Sequence, residues 1–419
     1  MHIVYIHRGV YPEMVGGTYT YIHELGRRLA GRGHLVEIIG STREAAAGPP
    51  QDISGMRVHR YSFRRINPVY STLQHLSKTY EIYGRIAGER PVDILSVNDS
   101  HLGLKTATSA LGRRACRIPT FHASLFLEYR LNTAWRIQAE PSSLRRLGMR
   151  AIEPVYEHWQ RRFETRLLEA SEGILVLSDF TRNLIEEYFP TADQGRVKII
   201  PSGVDTDRFQ PAENRGALRR ELGFDDNSVH LITVRNLSPR MGLENLIEAM
   251  ARVAASNEGR RANVHLHVCG EGRLRSVLED RIRELGLADR VSLLGRVTDK
   301  SLVRYYQAAD LFVLPTTAME GFGIVTVEAL SANLPVVGTP AGATPEILGP
   351  IDEDLITRDT SPQAIAEGIE RWLARRAKLA GTTRYRDEVL AKYSWERVTD
   401  RVEEYYREMS ERHRASLAD

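Results

Sequence analysis

The chain is expected to fold as two α/β domains, each built on a doubly wound parallel sheet. Three observations predict this. At 419 residues the chain is longer than one hydrophobic core usually serves, and 42% hydrophobic content is ample for two. Short apolar runs alternate with longer amphipathic stretches from the first residue onward, which is the pattern of βαβ units. A cluster of Gly195, Pro201, Gly203 and Pro211 then separates two such arrays, as a connection between domains does.

In the first array, apolar runs predict strands at 3–6, 36–39, 94–97, 118–121 and 174–177. Helices fall between them, as at 18–30, where Ile22, Leu25 and Leu29 recur at helical spacing. The second array predicts strands at 231–234, 265–268, 291–294, 311–314 and 336–338, with helices such as 243–255 and 301–309 between them. The domains are therefore drawn at 1–193 and 194–393, with a cleft between two facing sheets and a last helix, 394–415, packing back on the first domain. Residues 123–160 break the rhythm. They are Arg-rich, interrupted by Pro141 and Pro154, and read as an insertion into the first domain beside the cleft.

A net charge of +3, from 57 basic and 54 acidic residues, argues against a nucleic-acid binder. The excess is local, because eight arginines between Arg113 and Arg150 face only Glu128 and Glu140. Such a stretch is either a solvated face or a patch that meets anionic lipid or a phosphorylated acceptor. Cys116 and Cys269 lie at no metal-ligand spacing and read as buried thiols. His265 and His267 share one strand face without a Cys or acidic partner at ligand spacing, so no metal site is expected. The first seven residues turn polar too soon for a signal peptide, and no apolar run approaches the ~20 residues of a membrane span. The expected location is cytoplasmic, with contact at the inner membrane face the furthest extension.

Parallel α/β sheets bind ligands at the carboxyl ends of their strands, where loops open into helix N-termini with unpaired N–H groups. Glycine-rich turns at such junctions are therefore the candidate sites. One is Glu13-Met-Val-Gly16-Gly17-Thr18, and another is Val268-Cys-Gly270-Glu271-Gly272, where a purely structural turn would need a single glycine. The third runs from Asp310 through Pro315, Thr316 and Glu320-Gly321-Phe322-Gly323 to Glu328. There a strand ends, a loop delivers one carboxylate, glycines bare the backbone, and a helix carries a second carboxylate. Glu320 and the neighbouring amides suit sugar hydroxyls, and Glu328 suits the two hydroxyls of a ribose.

The spacing of Glu320 and Glu328 resembles the acidic E-x7-E motif of retaining GT-B glycosyltransferases, and the surrounding run is similar to glycosyltransferase family 4 (glycosyl transferases group 1). Other segments that resemble the family are Gly16-Gly17, Ile200-Pro-Ser-Gly-Val-Asp205 with Phe209, Met241 through Ala249, Gly270-Glu-Gly272, and Tyr306 with Ala309-Asp310. The resemblance implies a GT-B fold, an α-glycoside product made with retention, and a nucleotide sugar, most commonly a UDP-sugar, as co-substrate without a further cofactor. It implies that Glu320 contacts the donor sugar, that Gly321, Phe322 and Gly323 supply amides, and that Glu328 holds the ribose. Arg296 and Val297 would meet the base, and His122 would stand beside the reacting sugar. Gly17 falls to the donor, and Gly16, Thr18 and Tyr19 to the acceptor, which is a small molecule, a glycan or a lipid-linked compound.

One departure stands out. Where family members place Arg and Lys against the diphosphate, this chain has Asn236 and Met241, with Arg235 and Arg240 each one position earlier. These two arginines keep the five-residue spacing and are the candidates to stabilise the departing diphosphate. The departure also keeps two alternatives open, a sugar-nucleotide epimerase and a degenerate homologue that binds nucleotide sugars without turnover.

Overall fold

Strand β1, His2–His7, is buried along its whole length, as a strand covered on both faces by helices must be. In the computed structural model it is central to a six-stranded sheet. The structure describes residues 1–418 apart from 15, 43–47, 65 and 141, so Val15 and Pro141 of the motifs above lie outside the described residues.

The first unit comprises Met1–Ser202 and the C-terminal segment from Trp395. Its main sheet adds β2 (Leu35–Thr42), β3 (Gln51–Ile53), β4 (Met56–Ser62), β5 (Ile94–Val97) and β6 (Cys116–Arg117). The order is β3-β4-β2-β1-β5-β6, parallel except for the antiparallel β3–β4 pair. A smaller parallel sheet follows, formed by β7 (Thr120–Phe121), β8 (Ile174–Val176) and β9 (Val197–Ile199) in the order β7-β8-β9. The single strand expected at 118–121 is thus divided. Ile118 donates to Leu95 O and Leu175 donates to Pro119 O, and Pro119, lacking an N–H, marks the change of partner. Strands β3, β4 and β9 were not among those expected: β3 and β4 mix apolar with charged residues, and β9 lies in the stretch read as the connection between domains.

Helix α1 (Gly17–Gly31) turns Leu25 and Leu29 inward, and α2 (Pro68–Glu89) and α3 (Ser100–Thr108) pack together on the sheet. Residues 123–160 fall between β7 and β8 of the first unit. They form α4 (Leu125–Ala139) and most of α5 (Ser143–Glu169), an antiparallel pair. Pro154 lies within α5 rather than ending it. The lost main-chain bond and ring clash of a proline inside a helix cost about 3 kcal/mol together, and the buried Gln160, Glu164, Leu167 and Leu168 anchor the helix beyond it.

Residues 194–202 were expected to open the second domain. They stay with the first, because β9 pairs with β8 from Val197 to Ile199 and adds the third strand of that sheet. The last helix, Trp395–Ala418, also belongs to the first unit and buries Val398, Val402, Tyr405 and Tyr406 at helical spacing. Glu403 receives Arg32 at 2.8 Å and His34 at 3.0 Å, which ties this helix to the segment following α1.

The second unit, Gly203–Ser394, holds a five-stranded parallel sheet of β10 (Val229–Val234), β11 (Val264–Cys269), β12 (Val291–Gly295), β13 (Leu311–Leu314) and β14 (Val336–Gly338). Its order is β12-β11-β10-β13-β14. The reversal of direction between β10 and β13 is the switch point at which such sheets open to a ligand. Both cysteines are buried free thiols.

Candidate active site

The carboxyl ends of β10 and β13 bring Arg235, Arg240 and Glu320 together, with Thr316 between them. Arg235 follows β10 immediately and is only 8% exposed, so it is no surface salt-bridge residue. Its guanidinium donates through Nη2 to Thr316 Oγ1 and Glu320 Oε2, and Thr316 Oγ1 also donates to Glu320 Oε2 at 3.0 Å. Arg240 donates to Met319 O at 3.0 Å, one residue before Glu320. Burial raises the Glu320 carboxyl, but the charge and hydrogen bond of Arg235, with the Arg240 charge and the Thr316 hydroxyl, together outweigh it and hold the group below the usual carboxylate range. Glu320 is therefore a carboxylate at neutral pH. Arg235 Nε is buried and has no hydrogen-bond partner among the described residues.

Backbone packing explains why this loop holds its shape. Gly242, at φ 70°, sits so close to Pro315 that a Cβ would lie 1.8 Å from its carbonyl oxygen. Any other residue would push the β10 and β13 loops apart. Gly342, at φ 63°, packs in the same way on the Glu320 backbone, and Ala343 N donates to Glu320 O at 2.8 Å. Gly342 escaped the sequence reading. The glycine pair of 268–272 was read as more than a structural turn needs, yet both members have a packing reason. A Cβ would come 1.8 Å from Arg235 O at Gly270 and 2.4 Å from Leu237 O at Gly272.

Gly242 caps the helix Leu243–Ala255 and Gly323 caps the helix Ile324–Ser331, neither with a side-chain bond, so their first N–H groups are available to an anionic ligand. Phe322 turns its ring inward against Tyr393, centroids 5.6 Å apart, and offers its backbone rather than its side chain. Glu328, inside the second of these helices, accepts a bond from Tyr306 Oη at 3.0 Å. Burial pushes its carboxyl up to about 7. Arg296 and Val297 follow β12 at the same edge of the sheet, Arg296 exposed and Val297 half-buried. Met241 is buried and Asn236 exposed.

In the first unit the predicted residues also gather at the carboxyl ends of the strands. His122 follows β7 with its ring edge-on to Tyr21, centroids 4.9 Å apart, and its buried Nε2 has no partner among the described residues. Burial, aided by His7, pushes its pKa down to about 3, so the ring is neutral. Gly16 caps α1 without a side-chain bond, Gly17 is exposed and Thr18 half-buried, and Tyr19 lies edge-on to His7 at 4.8 Å.

Two further features escaped the sequence reading. Arg8 and Asp99 pair at 2.9 Å beside His101 at the ends of β1 and β5. Glu164, on α5, accepts from Ser124 Oγ at 3.0 Å, Leu125 N at 2.8 Å and Phe126 N at 3.1 Å, pinning the turn just after His122. Burial raises its carboxyl to about 7. Both pair residues far apart in sequence, and no local pattern announces them.

Several of the eight arginines of 113–150 are held by nearby partners. Arg117 pairs with Glu172, Arg130 with Glu157 at 3.6 Å, and Arg146 donates to Glu140 O at 2.7 Å. A cavity of about 640 Å³ in the second unit lies at the amino ends of its strands, lined by Arg215, Asp310, Trp372 and Tyr385. Asp310, at the head of the third candidate run, borders it, whereas Arg235, Arg240, Glu320 and Glu328 do not. Among the described residues no group of side chains is arranged to hold a metal, and no helix is long and apolar enough to cross a membrane.

Comparison with known proteins completes the picture. Residues 15–208 match the model described as Glycosyltransferase Family 4, and residues 214–388 match that of Glycosyl transferases group 1. A D-inositol 3-phosphate glycosyltransferase of Geodermatophilus obscurus is 28% identical over 396 residues, which cover 92% of this chain and 83% of the relative. An uncharacterised glycosyltransferase of Methanocaldococcus jannaschii is 26% identical over 94% of this chain and 95% of its own. Among solved structures, sucrose-phosphate synthase from Thermosynechococcus elongatus superposes with a TM-score of 0.77 at 21% identity, covering 97% of this chain and 98% of that one. Anabaena HepE in complex with UDP and glucose gives 0.73 at 17% identity, covering 97% and 99%.

Proposed function

The chain belongs to glycosyltransferase family 4, with the glycosyl transferases group 1 domain as its second half, and from that premise we propose how its residues divide the retaining transfer of a sugar from a nucleotide sugar. The donor is assigned to the second unit. Glu320 and the amides of Gly321, Phe322 and Gly323 hold the sugar hydroxyls, Glu328 holds the ribose, and Arg296 and Val297 border the base. Arg235 and Arg240 face the diphosphate, taking over from the positions held here by Asn236 and Met241. In the first unit, His122 is assigned to the reacting sugar, Gly17 to the donor, and Gly16, Thr18 and Tyr19 to the acceptor.

The chemistry follows from charge. As the bond from sugar to phosphate breaks, a second negative charge develops on the terminal phosphate of the leaving diphosphate, and fixed cations and helix N-termini lower the energy of that state most. Attack from the same face then gives an α-glycoside without an enzyme nucleophile. One observation carries this reading, the convergence of Arg235, Arg240 and Glu320 beside two helix N-termini that lack side-chain caps. Family membership removes the epimerase alternative.

A second reading has its own observation. Arg235 already neutralises Glu320 and Met241 is buried, which would suit a protein that binds donors without turning them over. The two readings separate on Arg240→Ala. With a cation acting on the leaving group, turnover falls by roughly 10²-fold or more while donor binding weakens less. Equal turnover in the variant and the parent would remove the assignment.

UDP-sugars are the expected donors, and a thermal-shift screen of UDP-, GDP- and ADP-sugars tests this, since a bound donor raises stability by mass action. Failure of every UDP-sugar alongside a shift with another base would refute it. Peripheral contact with an anionic membrane face through 113–150 belongs to the same reading and suits a lipid-linked acceptor.

A further inference from the structure

Among the described residues eleven large apolar side chains are exposed, and eight of them cluster around the starts of α2 and α5. On α5, Leu144 is 83% exposed, Leu147 66%, Ile152 66% and Val155 71%. An amphipathic helix normally turns such residues inward, and here the polar side faces the protein. At 3.6 residues per turn, Leu144, Leu147, Ala151, Ile152, Pro154 and Val155 fill an outward arc of about 160°. Arg145 and Arg150 stand at its two borders, both exposed, and the arc contains no acidic residue.

The helix cannot roll to hide this face. Its inward side is held by Tyr156 against Tyr129 at 4.5 Å and Glu157 against Arg130 at 3.6 Å, and Gln160 and Glu164 on that side are buried. The second cluster, Ile66, Val69, Tyr70 and Leu73, opens α2 beside the exposed Arg64. Helix α2 leaves the carboxyl end of β4, and α5 descends to the amino end of β8, so both starts lie at the carboxyl edge of the first unit's strands. Helix α3 packs against both.

We propose that the outward face of α5, residues 144–155, is a membrane-docking face that lies in the boundary between headgroups and acyl chains of an anionic bilayer. The apolar arc inserts, and Arg145 and Arg150 meet lipid phosphates on either side. A second copy of the chain fits less well, because a two-fold contact along this face would bring arginine borders together without an acidic residue to receive them. The proposal rests on the peripheral-contact reading above and changes its physical basis from diffuse charge over 113–150 to apolar insertion on one helix face. It also places the acceptor among amphiphiles anchored in that bilayer.

The test is flotation of the full chain with phosphatidylcholine vesicles, with and without phosphatidylglycerol. The parent protein is expected to float with the mixed vesicles. L147Q/V155Q should weaken that binding by about tenfold or more, and R145Q/R150Q should abolish the preference for the anionic lipid. All positions are exposed, so fold is preserved, and a donor-induced thermal shift equal to that of the parent checks it independently. Absence of flotation in the parent, or equal flotation of L147Q/V155Q, overturns the proposal. So does light scattering that shows a parent dimer converted to monomer by L147Q/V155Q, which would make the face a self-contact. Loss of the donor shift in the parent itself would instead count against the transferase reading and leave the flotation result to be judged separately.

Discussion

Arg235 and Glu320 illustrate how two residues named for separate tasks become one unit. Each is 8% exposed, and a charge so deeply placed is stable only with its partner. Arg235→Ala should therefore destabilise the second unit by about 3–5 kcal/mol and raise the Glu320 carboxyl, as chemical denaturation and the pH dependence of donor binding would read. Wild-type stability in that variant would mean the pair is not formed in solution. Glu328 titrates near 7 because burial disfavours its charge, while Tyr306 partly compensates. A carboxylate accepting ribose hydroxyls binds best ionised, so donor affinity should rise as pH increases from about 6 to 8, and donor binding should lower the Glu328 pKa in return. Calorimetric titration of donor at several pH values checks this, and Tyr306→Phe, which removes the compensating bond, should move the rise to higher pH.

The element that positions His122 is α5, through Glu164. In the folded chain this carboxyl keeps its proton up to about 7, against about 4.5 for a free glutamate side chain. Between those values the unfolded chain has released a proton that the folded chain still holds, so stability declines as pH rises across that window and levels off above it. Thermal unfolding of the first unit should show this decline, about 3 kcal/mol for one buried group, and Glu164→Gln should flatten it. An unchanged slope in the variant would assign the decline to other groups. The pairing of Glu164 with Ser124, Leu125 and Phe126 spans about forty residues, so sequence periodicity does not reveal it. The run Glu320 to Glu328 was legible because strand end, glycines and both carboxylates lie within one short stretch.

For the whole molecule the decisive feature is that the chain returns to its first unit. Val398, Val402, Tyr405 and Tyr406 of the last helix are buried there. Truncation after Ser394 should therefore lower the melting temperature of the first unit, while a transition that shifts with donor persists for the second. Scanning calorimetry distinguishes this from a single shared loss. Alternating apolar and amphipathic segments by themselves determined two parallel-sheet α/β domains, and the spacing of Glu320, Gly321, Gly323 and Glu328 determined the run proposed to bind the donor, because a strand-to-helix junction is a local structure written in consecutive residues. Tertiary structure alone decided that 194–202 remain with the first unit, that Gly270 and Gly272 exist to seat Arg235 and Leu237, and that Arg235 and Arg240 converge on the Glu320 loop. It also decided that α5 turns its apolar side outward. Each of those outcomes depends on which distant segments pack together, and a one-dimensional pattern reports the period of a helix or strand without reporting what its faces meet.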